Sequence, residues 1–292
     1  MSAAGKLLFG LPAGAKFMGA GGRLHRGWGV LAVPAALGFA LTPDCACAGA
    51  WTLRESQVQA YLQSTATRAD HAFDGSSNLY AAQTYDKIST QLFMEVGAND
   101  VLTLIVAPEL LSISLGSPAD TSYLGAGYTD LGGRVKIAEG DGFVASLQAV
   151  ARFPGAKPGE GPAVIGYVNG ELDLRALAGW NFVLWGWAAF LDVEVAQRLR
   201  FGAPPDEVRL DVTLGVRLAP RWLALAQSFN VVSEGAGEAP YFDASYEYYK
   251  LQMGVMYDLA DNFSVQASLV TTYFARNALQ ENGLVLAALY RY

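Results

Sequence analysis

Residues equipped for catalysis are scarce in this sequence. Only two histidines and two cysteines occur among 292 residues. Cys45 and Cys47 stand near the N-terminus, ahead of a cleavage motif described below. The rest of the chain therefore has no thiol, disulfide or cysteine-held metal. His71 is the one histidine beyond residue 50, and it falls in a Ser-, Asp- and Gly-containing stretch, 67–81, that reads as a loop. A lone loop histidine is more often solvated than a base. A lipid-hydrolysing barrel would need a serine–histidine pair on its wall, and no strand histidine is expected here. Gly125-Ala126-Gly127-Tyr128-Thr129-Asp130 resembles a phosphate loop but lacks the third glycine and a following helix, so a strand with small residues is the better reading. Zinc-protease, calcium-loop and nucleophile-elbow spacings are absent. The expectation is a protein that is not an enzyme and uses no cofactor or metal.

The charged residues are more informative, because they recur at every second position. Across 208–218, Val208, Leu210, Val212, Leu214, Val216 and Leu218 alternate with Arg209, Asp211, Thr213, Gly215 and Arg217. Arg134 opposes Leu131 and Val135 in the same way; Glu171, Asp173 and Arg175 oppose Leu172 and Leu174; Asp192, Glu194, Arg198 and Arg200 oppose Leu191, Val193 and Val195. Such charges are the candidates for lining a polar interior. Strands 171–180, 187–201 and 208–218 follow one another and should be antiparallel neighbours. Closing a loop at 202–207 sets Arg198 opposite Asp211 and Asp192 opposite Arg217. Closing a turn near 183 brings Arg175 toward Asp192 and Glu171 toward Arg198. Opposed charges on one sheet face can form a ladder. The ladder either braces a narrow lumen or lines a solute path, and the cost of unpaired buried charge favours bracing for most of these residues.

The elements that position these residues must be strands, since successive strand side chains point to opposite faces. Connections alternate in length. Short ones lie near 97–100, 139–142, 181–185, 219–221 and 260–262; long ones lie near 67–81, 116–124, 154–168, 202–207, 233–243 and 275–282. That spacing predicts an all-β fold, a transmembrane antiparallel up-and-down β-barrel of twelve strands, with short turns at the periplasmic rim and long loops outside. Phe143, Trp180, Trp187, Trp222, Tyr257, Phe263 and Tyr290 are expected near the periplasmic interface, and Tyr246, Tyr248, Tyr249, Tyr273 and Phe274 near the outer one. A soluble sandwich fits the alternation equally. The alternation of turn lengths and the final strand favour the barrel: Leu284, Leu286, Ala288, Tyr290 and Tyr292 share one face, and the chain ends on an aromatic. Tyr290 and Tyr292 are the expected assembly signal, read by the barrel-insertion machinery.

Composition agrees. Charged residues make up 16% of the chain and aromatics 12%, too few charges for an ordinary water-facing surface. No segment beyond residue 50 is apolar for the roughly 20 residues a spanning helix needs. The N-terminus reads as a cleaved signal peptide, residues 1–50: Lys6, Lys16, Arg23 and Arg26 form a basic region, 27–41 an apolar core, and Ala48-Gly49-Ala50 a small-residue cleavage site that starts the mature barrel at Trp51, residues 51–292. Met18 is an alternative start to Met1. The signal holds four basic residues and one acid, so the whole-chain charge of −7 becomes −10 for the barrel. An acidic exported chain is a poor partner for nucleic acid; the expected surroundings are outer-membrane lipid.

Several segments in order resemble a known family: Trp51-Thr52-Leu53; Phe73-Asp74-Gly75; 95–104 (EVGANDVLTL); 129–134 (TDLGGR); 206–211 (DEVRLD); and the ending 275–278 (ARNA) with 289–292 (LYRY). The barrel resembles the outer-membrane proteins grouped with meta-pathway phenol degradation, with Leu289 and Tyr292 standing where that family commonly has Trp and Phe. The resemblance implies a channel or transporter-like protein of the cell outer membrane for small hydrophobic or aromatic compounds, and it supplies no binding residues to carry over. The alternative is a non-conducting structural or interaction barrel linked to the envelope or to polymer export.

Overall fold

The protein is described by a computed structural model covering residues 49–292. The basic region, the apolar core, Cys45, Cys47, Met1 and Met18 lie outside the described residues. Alternating polarity is realised as strands throughout: β1 (Val58–Phe73), β2 (Leu79–Gly97), β3 (Leu102–Leu115), β4 (Thr121–Gly140), β5 (Phe143–Pro154), β6 (Gly170–Leu184), β7 (Trp187–Phe201), β8 (Glu207–Ala219), β9 (Trp222–Ser233), β10 (Glu247–Ala260), β11 (Phe263–Arg276), a two-residue β12 (Ala278–Leu279) and β13 (Asn282–Arg291). Each long strand pairs antiparallel with the next, and β13 pairs with both β11 and β1. The result is a closed barrel of twelve long strands. Closure leaves no sheet edge, the condition for placing strands in hydrocarbon, where an unpaired N–H or C=O has no water to bond.

The two faces separate as the alternation requires. On β8, Val208, Leu210 and Leu218 are exposed while Asp211 is buried. Leu124, Ile137, Leu147, Leu269 and Leu286 are likewise exposed, Leu269 at 69%. An apolar belt of this extent is not kept facing water by a soluble monomer; in a bilayer it is the stabilised surface. Trp180, Trp187, Trp222, Phe263 and Tyr290 flank it at the short-turn rim. There Phe143 packs on Trp180 with ring centroids 5.3 Å apart, and Trp222 on Tyr257 at 4.7 Å. At the other rim Tyr249 contacts both Tyr273 and Phe274. A bulge between Tyr249 and Lys250 skips Tyr273 in the pairing, which leaves adjacent Tyr273 and Phe274 both exposed.

Three expectations need correction. The strands run further than the loop composition suggested. β1 continues to Phe73, so His71 lies on a strand, with Nδ1 2.7 Å from the carboxylate of neighbouring Asp70, and the first outer loop shrinks to 74–78. The turn placed near 183 is instead Trp185-Gly186, both residues at positive φ (50° and 87°). That is a two-residue connection whose twist matches the flanking strands. Finally, Tyr246 and Tyr248 do not join the outer girdle. Tyr246 lies one residue before β10 and turns inward to Glu207 and Arg200, and Tyr248 lies under the ammonium of Lys250.

Candidate lumen site

One wall of the lumen, from β4 to β8, carries most of its charge. Arg134 reaches Glu95 on β2 at 2.8 Å and Gln148 at 2.9 Å. Arg152 bridges Asp130 (3.0 Å) and Glu171 (2.7 Å). Arg175 takes Asp173, Glu194 and Asp211 at 2.6, 2.7 and 2.8 Å. Arg198 and Arg200 each bridge strands: Arg198 to Asp173 at 2.8 Å, Arg200 to Glu171 at 2.8 Å and Glu207 at 3.1 Å. Arg209 lies 3.5 Å from Glu207, and Arg217 pairs with Asp258 on β10. All eleven charged candidates thus point inward, and Asp192 alone among them has no ion pair among the described residues. Charges this close in a water-poor interior hold each other in place, and removing one partner strands the other.

The pairing register differs from the one expected. Arg198 faces Glu207, Glu194 faces Asp211, and Asp192 faces Thr213. Glu171 faces Arg200 and Asp173 faces Arg198, while Arg175 stands opposite Ala196. Only the approach of Glu171 to Arg198 is retained, as a diagonal 3.6 Å pair. The cause lies in the connections: the inner turn comes at Trp185-Gly186, and the β7–β8 pairing ends at Arg198 and Glu207, so that 199–206 all lie between the last paired residues. Each change slides the strand partners by several residues.

The opposite wall is of another kind. Tyr61, Gln63, Gln91, Phe93, Gln227 and Phe229 line it, alternating amides with aromatic rings. Gln252 donates to Gln227 at 2.8 Å and Tyr61 donates to Gln266 at 2.8 Å. Between the two walls is a cavity of about 420 Å³, the size range of small-molecule pockets.

The floor of this cavity is the segment preceding β1. Ala50 and Trp51 lie inside the periplasmic mouth. The Ala50 N–H donates to Asp192 at 2.9 Å, and its carbonyl accepts from Ser146 at 2.6 Å. The Trp51 carbonyl accepts from Arg134 at 3.0 Å, and the Leu53 N–H donates to Thr103 at 2.9 Å. The Trp51 indole meets Phe190 edge to face at 6.1 Å, over a buried cluster that includes Leu223, Leu225, Met256 and Leu289. Two glycines make room for these rings. A Cβ on Gly179 would strike the indole of Trp51, and one on Gly215 the ring of Phe190.

The outer mouth is narrowed by loops. Residues 155–169 include a short 3-10 turn, Gly161–Val164, and Tyr128 bonds the carbonyls of Gly166 and Asn169 at 2.7 and 2.9 Å. Tyr167 packs on Tyr128 at 5.6 Å. From the short connection after β12, Glu281 reaches Lys250 (2.9 Å), Lys87 (3.3 Å) and Thr67 (2.9 Å). Burial alone would raise the Glu281 carboxyl, but the two ammonium groups and the Thr67 hydroxyl outweigh it and hold its pKa well below the usual carboxylate range.

Sequence reasoning missed much of this site. Glu95 and Glu207 sit at inward positions of strands and were recoverable from the alternation. The apolar floor was signalled only by Phe190, Leu223, Leu225 and Leu289 taking inward positions where polar residues were expected. Nothing in the sequence signalled that residues 49–54 fold back into the barrel, because that contact joins residues far apart in the chain. Tyr290 is exposed on the outer face. Tyr292, 81% exposed, closes the last strand through paired backbone bonds with Val58 of 2.9 and 2.8 Å.

No protein-family model and no curated protein matches the sequence. Solved structures do match in shape. The COG4313 outer membrane channel from Pseudomonas putida F1 superposes with a TM-score of 0.67 at 12% identity, covering 85% of this chain and all of that one. Weaker likenesses are the transport unit of the autotransporter AIDA-I from Escherichia coli (TM-score 0.49, 10% identity, 86% of this chain and 92% of that one) and the NanC porin (0.48, 7%, 79% and 98%). With its closed sheet, apolar belt and aromatic rims, the chain has the fold of a channel-like outer-membrane β-barrel.

Proposed function

We propose that this barrel passes small solutes across the outer membrane, through a chamber whose periplasmic mouth is closed by residues 49–54. The observation that carries the reading is the division of the lumen: a fixed, self-paired charge wall faces a wall of amides and aromatic rings across about 420 Å³ of space. Paired charges hold the barrel open against collapse without offering a strong site for a free ion. Tyr61, Phe93 and Phe229 offer ring surface, and the glutamines offer donors and acceptors. The class of solute this suits has a small apolar body and a polar edge, such as a hydroxylated aromatic. That agrees with the aromatic-compound handling implied by the family resemblance.

Liposome swelling tests this. Phenol-sized hydroxylated aromatics should enter proteoliposomes faster than sugars of larger cross-section, and loosening the floor with Trp51→Ala should raise both rates while keeping their order. A second reading, a non-conducting brace, is favoured by one observation: the floor bonds both to the charge wall and to the apolar cluster. Absence of swelling for every solute in the wild type and in Trp51→Ala would establish it over the first.

A further inference from the structure

We propose that the mature chain begins at Gly49, through signal-peptidase cleavage of the Ala48–Gly49 bond, and that the α-ammonium so formed is the cation of a buried acid pair, Asp192 and Glu194. The proposal stands independently of the channel reading. Two overlapping Ala-x-Ala triplets follow the apolar core: Ala46-Cys47-Ala48 and Ala48-Gly49-Ala50. Both satisfy a signal peptidase, which requires small residues at the first and third positions before the cut. The sequence cannot choose between them, and the mature start at Trp51 rests on the second. The structure discriminates.

Asp192 and Glu194 are two residues apart on β7, hence on one face. Asp192 is 2% exposed, and its carboxylate accepts the Ala50 N–H but has no ion pair among the described residues. Arg134, which lies nearby, is committed to Glu95, Gln148 and the Trp51 carbonyl. Glu194 is shared with Arg175, which also serves Asp173 and Asp211. Acids thus outnumber the arginines available to them at this end of the wall. The Gly49 backbone lies against Glu194: a Cβ on Gly49 would collide with Glu194 Oε1. A side chain at this position would have to displace the Glu194 carboxylate, and the Gly49 nitrogen is one residue from the N–H already bonded to Asp192.

Cleavage after Ala50 would instead delete the partners of two buried groups. Asp192 would lose its Ala50 donor, and Ser146, 1% exposed, would lose the Ala50 carbonyl at 2.6 Å. Stranding buried polar groups carries their full desolvation cost. Cleavage after Ala48 keeps both bonds and adds a charge where one is lacking. In the step itself, water adds across the Ala48–Gly49 amide and the C–N bond breaks. The water oxygen leaves in the Ala48 carboxylate on the signal peptide, and the Gly49 nitrogen takes up both water protons to become an ammonium.

N-terminal sequencing of the barrel purified from outer membranes tests the cut. A Gly49 start is expected; a start at Trp51, or at any other residue, overturns the proposal. Reductive methylation of the folded barrel tests the ion pair, with heat-modifiable migration confirming folding of each variant. The Gly49 amine should be protected in the wild type and should lose that protection in Asp192→Asn, where the amide keeps an acceptor for the Ala50 N–H but removes the charge, and in Gly49→Ala, where Glu194 displaces the chain end. Equal labelling of the α-amine in all three proteins overturns the ion-pair assignment even if the start is Gly49.

Discussion

At the scale of single residues, what matters is which way a side chain faces. Val212 and Thr213 are neighbours on β8; Thr213 lines the cavity, and Val212 has the opposite parity and faces lipid. Val212→Arg is expected to destabilise the folded barrel by about 2–4 kcal/mol, the cost of a basic side chain near the bilayer midplane. Thr213→Arg meets a polar lumen and should cost much less. Urea unfolding in lipid vesicles compares them, and equal destabilisation would remove the facing assignment. Glu281 gives a second case. Its carboxyl pKa is depressed in the folded state by Lys250 and Lys87, so its contribution is present above the unfolded carboxylate pKa, about 4.3. It is lost only as pH falls below that value toward the depressed one. At neutral pH, Glu281→Gln should therefore loosen the outer mouth, leaving two facing ammonium groups, and limited proteolysis of the loop after β12 should accelerate. Below the folded pKa the difference should vanish; an undiminished difference there would exclude the ion pair as its cause.

At the scale of elements, the strands were legible and their registers were not. Period-two alternation on β8 or β13 is a property of one segment, and it gave strand, facing and lumen charges together. Register depends on where a turn closes. Trp185-Gly186 adopts left-handed backbone that a Trp seldom takes, so the Asn181-containing stretch was the more evident turn, and the approach of Arg175 to Asp192 was lost with that error. The floor was illegible for a stronger reason. Ala50 and Asp192 are 142 residues apart, and no local pattern announces such a pair. The final strand makes its own prediction. β13 carries Tyr290 outward and ends beside Val58, where it closes the barrel, and the proposal that insertion machinery reads its aromatics is open to direct test. Replacing Tyr290 and Tyr292 with Ser should abolish heat-modifiable, folded protein while leaving synthesis intact. Normal folded migration of that variant would show that the aromatics are not the signal.

At the scale of the whole molecule, two arrangements are superimposed. Outside, the lipid belt and its aromatic rims fix the barrel in the membrane. Inside, a charge wall braces the lumen, and the segment before β1 lies across one end. The floor bears most directly on function, because it is held by few groups: four hydrogen bonds on its backbone, to Asp192, Ser146, Arg134 and Thr103, and the packing of one indole on Phe190. Single-channel recording in planar bilayers measures what that floor does. The wild type should show low or intermittent current. Trp51→Ala, which removes the indole and leaves the strands and the charge wall unaltered, should show larger and longer openings. Identical silence from both proteins, with each verified as folded and inserted, would contradict a channel closed by its own N-terminal segment.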